Sequence, residues 1–270
     1  MNKTNIEWCD YTVNPIIFET LTKEGYGCPY RCRYPCYTGK IARAFPKAFT
    51  PGFYPFRIKG KMKGKTIFVE SMGDLFHPSV EDREIEHVFE RCQQLDPSNT
   101  FVFLTKNSPR YETFLPYYQD NFIWGVTLET NVYSPNWHIS DAPQPYDRVQ
   151  AMKRLPERVK RMDSVEPSLD FNSSIFLRYL LETRALFIIF GANSMDTRLP
   201  EPPPEKLRAL IQALRGKNQT VLIKENAKRL GLIPYHFKIS HIPAELAKKR
   251  QKSLEAYFNE KAMRNDIFEH

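Results

Sequence analysis

Short apolar runs that alternate with helical patterns restrict the fold of this chain more than any other feature of its sequence. Six runs have the length and the β-branched or aromatic content of buried strands: 66–71, 101–105, 122–129, 159–167, 185–191 and 220–225. Helical patterns occupy 36–45, 80–95, 147–155, 173–183 and 205–215, and another helix begins near Ser108. Strands that alternate with helices form a parallel sheet. With a first strand at 11–18, the pattern predicts an α/β fold, a partial (β/α) barrel of six or seven units.

The length and composition agree with one barrel domain. The chain has 270 residues, of which 41% are hydrophobic, and a single α/β barrel of this size is common. We expect the domain to span 1–240, with a loop at 27–37, and a charged helical tail to span 241–270. No apolar run reaches the length of about eighteen residues that a transmembrane helix needs. The first residues lack the apolar stretch of a signal peptide. We therefore expect a cytoplasmic protein with no membrane partner.

Three of the five cysteines lie within nine positions, as Cys28, Cys32 and Cys36. Thiolates are soft ligands that suit zinc, copper(I) and iron–sulfur clusters. Structural zinc takes four closed ligands, usually from two separated pairs. A 4Fe–4S cluster has four irons, and ferredoxin-type proteins ligate all of them with cysteine. Three cysteines would leave one iron open to a substrate or cofactor. The triplet therefore favours an open-site iron–sulfur cluster.

Other readings of the triplet stay open. Zinc would need a fourth ligand, for which Cys9 and His77 are candidates, and a purely structural or redox role is the remaining alternative. In a reducing compartment, clustered cysteines are more often ligands than disulfides. Cys92 differs from the triplet because it lies in a helical pattern. We expect it to be a small buried hydrophobic residue.

Polar or charged residues follow each predicted strand of the barrel. Barrels carry their chemistry on the loops at the carboxyl ends of the strands. These ends are 70–74, 105–107, 127–131, 163–167, 191–194 and 224–226. Each has an alternative reading as a helix cap or a loop charge. Together, they predict a mouth with carboxylates and lysines that suits a zwitterion and a nitrogen-rich heterocycle.

The net charge of +8 is concentrated in three basic runs, at 56–65, 148–161 and 246–252. Such runs indicate an anionic partner only weakly, because solvated faces and charged tails give the same pattern. No recognisable nucleic-acid-binding motif accompanies them. Nucleic acid is therefore a less favoured partner than a small molecule.

Several stretches resemble one known group of enzymes. They are 4–15, the cysteine loop with its GC at 27–28 and CY at 36–37, 67–80, 101–110, 123–131, 163–171, 187–194 and 221–227. With these, the chain resembles radical S-adenosylmethionine (SAM) enzymes of the phage Gp37/Gp68-like group, also known as the three-Cys-motif proteins. The resemblance covers 4–230. One departure concerns the cysteines, which are spaced by three and three residues instead of three and two.

The resemblance implies a fold, two cofactors and a set of site residues. The fold is the partial barrel of radical SAM enzymes, and the cofactors are a 4Fe–4S cluster on Cys28, Cys32 and Cys36 and SAM on the open iron. Reduction by a donor such as flavodoxin or ferredoxin would cleave SAM to a 5′-deoxyadenosyl radical, which abstracts a hydrogen from the substrate. Ser71, Met72 and Gly73 would hold the methionyl amino group and Lys106 its carboxylate. The strand end with Thr127 and Glu129 would face the ribose, and Tyr34 or Tyr37 the adenine.

The chain also resembles the clostridial queuine lyases within this group. That resemblance implies a carbon–nitrogen lyase that converts the free base queuine to 7-aminomethyl-7-deazaguanine for queuosine salvage. A carboxylate can accept both donors of a guanine-like edge in charge-assisted hydrogen bonds. Asp74, Asp163 and Glu166 are the candidates, with Asn193 as a neutral helper, and Asp163 and Glu166 are the candidate catalytic residues. Modification or repair of nucleic acid by the same chemistry, and a non-catalytic zinc-binding interaction module, are the alternatives.

Overall fold

The computed structural model of the chain describes residues 1–19, 27–32, 37–45, 50–132, 139–193, 199–235 and 239. Its strands are β1 (Asn2–Lys3), β2 (Tyr11–Val13), β3 (Ile16–Ile17), β4 (Gly52–Phe53), β5 (Thr66–Val69), β6 (Thr100–Thr105), β7 (Phe122–Thr127), β8 (Arg161–Val165), β9 (Phe187–Phe190) and β10 (Thr220–Ile223). The α-helices are α1 (Tyr37–Ala44), α2 (Asp82–Gln93), α3 (Pro145–Arg154), α4 (Ser173–Glu182) and α5 (Pro204–Gly216). Three 3-10 helices span Pro55–Arg57, Ser108–Tyr117 and Glu225–Leu230. The predicted tail, 241–270, lies outside the described residues.

One sheet of eight strands, in the order β1-β2-β5-β6-β7-β8-β9-β10, forms the frame of the domain. From β2 to β10 every neighbouring pair is parallel, and only the edge strand β1 runs antiparallel. Strands that follow one another around the sheet in chain order, with helices between them, form a barrel rather than a doubly wound sheet. The described strands do not close the ring, so the predicted partial (β/α) barrel is confirmed.

Successive side chains on each strand face two different layers. One layer, which we call the outer core, packs strand residues such as Phe103, Trp124 and Val165 with the buried faces of α2 to α5. The other, the inner cluster, joins Phe68, Val102, Ile123, Met162, Ile189 and Leu222 on the concave side of the sheet. Because side chains alternate along a strand, the position of a residue decides whether it faces the helices or the barrel interior.

Helix α2 shows why the predicted helical segments form. The Glu84 side chain accepts a hydrogen bond from the Glu81 backbone N–H at 3.1 Å, which caps the first turn. Four buried residues then recur at helical spacing and face the sheet: Ile85, Val88, Phe89 and Cys92. Cys92 is fully buried, which confirms its assignment as a small core residue.

Two segments differ from the expected elements, and proline accounts for both. The predicted strand 11–18 is divided into β2 and β3, because Pro15 between them has no N–H to donate to a ladder. The helix expected from Ser108 is a 3-10 helix with Pro116 inside it, where proline cannot donate the hydrogen bond that a regular α-helix needs. In the part of the chain that the structure describes, no helix has the length and apolar content to cross a membrane.

We expect Phe89→Ala to lower the free energy of unfolding by about 3–5 kcal/mol, the usual cost of removing a buried aromatic side chain. The Phe89 ring is fully buried, and its centroid lies 4.9 Å from that of Phe103 and 5.8 Å from that of Phe122. Phe56→Ala is the matched control because Phe56 is 60% exposed, and it should change stability by less than about 0.5 kcal/mol. Denaturant unfolding of both variants measures the difference, and equal losses would contradict this account of the outer core.

Candidate functional site

The candidate site lies where the cysteine loop meets the carboxyl ends of β5 to β8 and β10. Residues that continue the inward-facing positions of these strands come to this end of the barrel, among them Lys106 after β6, Glu129 after β7 and Lys224 after β10. The chemistry predicted for the strand ends is therefore concentrated at one mouth.

A buried charge triad of Lys106, Glu129 and Arg148 occupies the centre of this mouth. Lys106 Nζ donates a hydrogen bond to Glu129 Oε1, and Arg148 Nη1 lies 2.8 Å from Glu129 Oε2. Lys106 Nζ also lies 3.3 Å from Cys32 Sγ. The side chains of Glu129 and Arg148 are 1% and 3% exposed. The triad thus connects the ends of two strands with helix α3 and with the cysteine loop.

The contacts of the triad favour the charged forms of Glu129 and Lys106. Burial opposes ionisation of Glu129, but Lys106 and Arg148 outweigh it and hold its pKa at about 2. Burial acts to lower the pKa of Lys106, yet Cys32 and Glu129 raise it above the ordinary value. Two cations and one carboxylate leave an excess of positive charge, and Lys106 brings it to Cys32. This positive charge suits an anionic ligand beside Cys32.

Arg148 is the functional residue that the sequence reading missed, because it was counted in the basic run 148–161. The structure buries it on α3, where it also donates to the carbonyl oxygens of Thr127 at 2.9 Å and Pro143 at 2.6 Å. The signal was present in the helical spacing. Arg148 precedes the buried Met152 by four residues, so the two share one face of the helix.

Asp74 fastens the ends of two strands, and its carboxylate already has three donors. It accepts hydrogen bonds from Thr105 Oγ1 at 2.6 Å, from the Lys106 N–H at 2.8 Å and from the Phe76 N–H at 3.0 Å. Burial raises its pKa despite these donors. These contacts support the backbone of Lys106, and the predicted substrate contact of Asp74 stays a prediction.

Asp163 does not reach the mouth, contrary to the prediction that it binds the substrate and takes part in catalysis. It lies in the middle of β8 between Arg161 and Val165, on the face that packs against the helices, and it is fully buried. Thr183 Oγ1, at the end of α4, donates to Asp163 Oδ2 at 2.7 Å. The physical reason is the alternation of the strand, which turns Ser164 instead of Asp163 towards the interior.

Glu166 lies at the mouth as predicted and is paired with Lys224. Lys224 Nζ lies 2.7 Å from Glu166 Oε1, with the two side chains 18% and 27% exposed. Asn226 Nδ2 donates to the same carboxylate oxygen at 3.4 Å. A Cβ atom at residue 191 would lie 2.7 Å from Glu166 Cδ, so the side chain crosses a space that only Gly191 leaves open. Glu166 thus retains solvent access beside a cation and an amide.

The backbone of Asn193, the predicted neutral helper, is hydrogen-bonded to Glu201 and to Arg229 of the last 3-10 helix. Its carbonyl oxygen accepts from Arg229 Nη2 and its N–H donates to Glu201 Oε1 at 3.4 Å. Its side chain is buried. These contacts fix the position of Asn193 at the end of β9.

The turn after β5 is hydrogen-bonded to Asn14, the residue that follows β2. Ser71 Oγ and the Met72 N–H both donate to Asn14 Oδ1, at 3.2 Å and 3.0 Å. A Cβ atom at Gly73 would lie 2.4 Å from Phe18 Cε2 and 3.0 Å from Glu70 Oε1. The backbone of the turn therefore lies against its neighbours, and glycine at residue 73 permits this approach.

Glu70 is a buried acid under this turn. Its backbone has a φ of +62°, and Glu70 Oε2 accepts a hydrogen bond from the Ile16 N–H at 3.0 Å. Burial raises its pKa to about 8. The side chain is therefore mostly uncharged at neutral pH, and it adds little negative charge to the mouth.

The cysteine loop is only partly described. Cys36 and Tyr34 lie outside the described residues. Tyr37 is the first residue of α1, but its side chain is not described. Cys28 and Cys32 are both half-buried, and burial raises the pKa of the Cys28 thiol, with Asp74 acting in the same direction. The Tyr30 carbonyl accepts from the Asp141 N–H at 2.8 Å, and Arg31 Nε lies 3.0 Å from Asp141 Oδ2. These contacts attach the loop to the segment before α3.

The two candidates for a fourth zinc ligand lie in different surroundings. Cys9 is buried in the inner cluster. His77 Nδ1 accepts from the Ser79 N–H at 3.1 Å, and the ring packs 4.6 Å from that of Tyr30. Within the described ranges, no three His, Cys, Asp or Glu side chains are grouped as a metal site. Cys36 lies outside those ranges, so the three-cysteine ligand set stays a prediction.

Comparison with known proteins gives one family. Residues 3–202 match the model of a family described as "Protein of unknown function (DUF5131)". No curated protein matches the chain. Among solved structures, the chain is similar to a spore photoproduct lyase mutant with bound AdoMet and dinucleoside spore photoproduct, at 12% identity over 93% of this chain and 78% of that chain, with a TM-score of 0.46. A second spore photoproduct lyase mutant, with dinucleoside spore photoproduct, has 13% identity, the same coverage and a TM-score of 0.43.

We expect Glu70→Gln to remove a loss of stability that the wild-type chain shows as pH rises. A pKa of about 8 in the folded state, against an ordinary 4.5, means that the folded state binds this proton more tightly than the unfolded chain. The contribution is complete below about pH 4.5 and is lost progressively up to about pH 8. Glutamine imitates the protonated acid, so the variant should match the wild type near pH 5 and exceed it near pH 8.

Denaturant unfolding at several pH values measures this difference in the free energy of unfolding. Glu112→Gln is the control, because Glu112 is an exposed partner of Arg154, and the pH dependence of its stability should follow the wild type. Parallel curves for the wild type and Glu70→Gln would contradict a raised pKa for Glu70.

Proposed function

The chain belongs to the DUF5131 family, whose function is unknown, and from its residues we propose that it is a radical SAM enzyme. Cys28, Cys32 and Cys36 would hold a 4Fe–4S cluster, and SAM would bind at the iron that they leave open. The observation that carries the proposal is the contact of Lys106 with Cys32 at 3.3 Å, at the mouth of a partial parallel barrel. A second cation, Arg148, binds the Glu129 carboxylate that holds Lys106.

The residues of the mouth fit these cofactors by charge and donor type. The excess positive charge of the triad suits a loop of thiolates and the carboxylate of SAM. When bound, the cluster and SAM together would supply a carbon-centred radical that abstracts a hydrogen from the substrate. The backbone after β5, at Ser71, Met72 and Gly73, would face the methionyl amino group. It is ordered for this by the two hydrogen bonds to Asn14.

The contacts of Glu129 favour a different role from the predicted ribose contact. Both of its carboxylate oxygens already bind cations. We therefore assign Glu129 to hold Lys106 in place, with Thr127 at the same strand end left as the candidate for the ribose. Tyr34 and Tyr37 remain the proposed neighbours of the adenine.

We expect anaerobically purified protein to contain about four irons per chain, as a cube with cysteine ligands requires. Cys28→Ala, Cys32→Ala and Cys36→Ala should each lose most of this iron and its visible absorption. Cys92→Ala is the control and should keep both, because Cys92 is buried in the outer core. Stoichiometric zinc without iron would instead support the zinc-binding alternative.

For the substrate, we propose queuine, with cleavage of the carbon–nitrogen bond of its side arm. The proposal rests on the resemblance to queuine lyases and on Glu166, the carboxylate at the mouth with solvent access. One carboxylate accepts both donors of a guanine-like edge, and Lys224 and Asn226 would keep it oriented. Asp74 has three donors already and Asp163 faces the helices, so Glu166 is the preferred candidate of the three.

We expect anaerobic incubation with queuine, SAM and a reductant to yield 7-aminomethyl-7-deazaguanine and 5′-deoxyadenosine, detected by mass spectrometry. Glu166→Gln should lower turnover by roughly ten- to a hundredfold, because a lost charge-assisted pair is worth about 1.5–3 kcal/mol and leaves a donor unpaired. Its iron content should be unchanged, and Glu112→Gln should retain full activity. Unchanged queuine beside an intact, SAM-cleaving protein would contradict the substrate but not the radical chemistry.

A second candidate function is radical modification or repair of a base within nucleic acid. The run 56–65 supports it more directly than the run 148–161. In the run 148–161, Arg148 and Arg161 are buried, and Arg154 is paired with Glu112. In the run 56–65, by contrast, Lys59, Lys61 and Lys65 are exposed. The observation that favours this function is therefore the exposed surface of the run 56–65.

A further inference from the structure

We propose that residues 56–65, which we call the basic strip, and the cavity beside them bind single-stranded nucleic acid. The inference rests on this surface alone and not on the chemistry of the mouth. It is carried by three observations, namely a cavity without carboxylates, a row of exposed lysines and an exposed aromatic ring.

The cavity has a volume of about 400 Å³ and adjoins the cysteine loop. Its walls include Asn14, Phe18, Phe56, Arg57, Lys59 and Met72. Among the described residues that line it there is no aspartate or glutamate. Two cations and no carboxylate, between aromatic walls, form an environment for an anionic group that is attached to a flat apolar one.

Arg57 is held ready for a ligand in this cavity. Its Nη1 donates to the Asn14 carbonyl oxygen at 3.0 Å, and its Cζ lies 4.3 Å from the centroid of the Tyr54 ring. No ion pair of Arg57 with a carboxylate occurs in the described ranges. A guanidinium has five N–H donors, so a fixed side chain with one bond to a carbonyl has donors left for a phosphate.

Lysines continue the positive charge away from the cavity. Lys59, Lys61, Lys63 and Lys65 alternate with glycine, methionine and glycine, and all four are exposed. Lys63 lies 3.2 Å from Asp96, while the other three have no carboxylate within ion-pair distance in the described part of the chain. A row of cations extends beyond the reach of one phosphate, so a polynucleotide suits it better than a mononucleotide.

Phe56 distinguishes a single strand from a duplex. Its ring is 60% exposed and meets the Tyr54 ring edge-on at 5.9 Å, so one of its faces has no aromatic partner among the described rings. Exposed aromatic rings between basic side chains stack the unpaired bases of single strands, whereas the bases of a duplex are already stacked. The strip therefore combines the two elements of a single-strand surface.

The cavity would also bring a bound strand close to the candidate site. Gly27, which precedes Cys28, lines it, and so does Met72 of the turn that Asn14 fastens. A base displaced from the strip would thus enter at the cysteine loop. This arrangement deepens the second candidate function, but binding to the strip does not require it.

Fluorescence anisotropy with a labelled 20-nucleotide single strand, without SAM or reductant, tests the inference on the full, anaerobically purified chain. The triple variant Lys59→Ala, Lys61→Ala, Lys65→Ala should weaken binding by tenfold or more at about 0.1 M salt. It should also reduce the slope of log K against log salt by about 2, since each phosphate contact in a single strand contributes about 0.7. Phe56→Ala should weaken binding by about tenfold, and Phe56→Trp should restore it.

The control removes three charges from elsewhere on the surface, with Lys153→Ala, Arg178→Ala and Lys228→Ala. This control should bind like the wild type and show the same salt slope. An equal loss in the control, or a Phe56→Ala variant that binds normally, would overturn the inference. So would tighter binding of a duplex, or binding of a mononucleotide but not of the strand. Because neither SAM nor a reductant is present, failure of the radical chemistry cannot imitate any of these results.

Discussion

Burial of the Glu129 carboxylate between two cations is the interaction on which the candidate site depends. It joins β6, β7 and α3 at one point. Removing the Glu129 carboxylate would leave two buried cations without their counter-charge. Removing one partner of a buried ion pair commonly costs about 3–5 kcal/mol, because the remaining charge is then uncompensated. Such a triad is weak evidence for stability, since apolar residues would pack as well. Its value to the protein is better explained by the fixed position that it gives Lys106.

The fold could be predicted from the sequence because each strand is a continuous apolar run and each helix has one apolar face. Those patterns identify elements, their order and hence the parallel sheet. They do not identify which neighbour a polar side chain meets. Asp163 shows the limit of such patterns. Its position near a strand end was recognised, but the alternation of side chains along β8, which turns it towards the helices, was overlooked. Arg148 shows the opposite error, since a positive charge in a basic run was assigned to solvent although helical spacing put it beside Met152.

The site could be predicted to the level of strand ends, and the partners of each side chain could not. Lys106 and Glu129 were both expected at the mouth with separate ligands, but the structure joins them. Asp74 was expected to be available, but three donors reach it from β6 and from its own turn. Long-range pairing of this kind depends on the twist and register of neighbouring strands, which local sequence does not specify. Glu166 differs from Asp74 because its partners, Lys224 and Asn226, follow the last strand and leave its side chain 27% exposed.

The charges at the mouth are arranged so that a positive charge lies beside Cys32. Glu166 and Lys224 balance one another, and Glu70 is held uncharged at neutral pH by burial. The Lys106–Glu129–Arg148 triad therefore sets the charge beside Cys32, whereas burial and Asp74 raise the pKa of the Cys28 thiol. Thiolates that lie close together in space repel one another, and a low dielectric strengthens that repulsion. The Lys106 cation at Cys32 would offset this repulsion once the cysteines bind a cluster as thiolates, and Glu129 and Arg148 already hold Lys106 in place. The same fixed charge would oppose an approaching cation and favour an anion, so the selectivity of the mouth for its ligand begins with a carboxylate that the ligand need not touch.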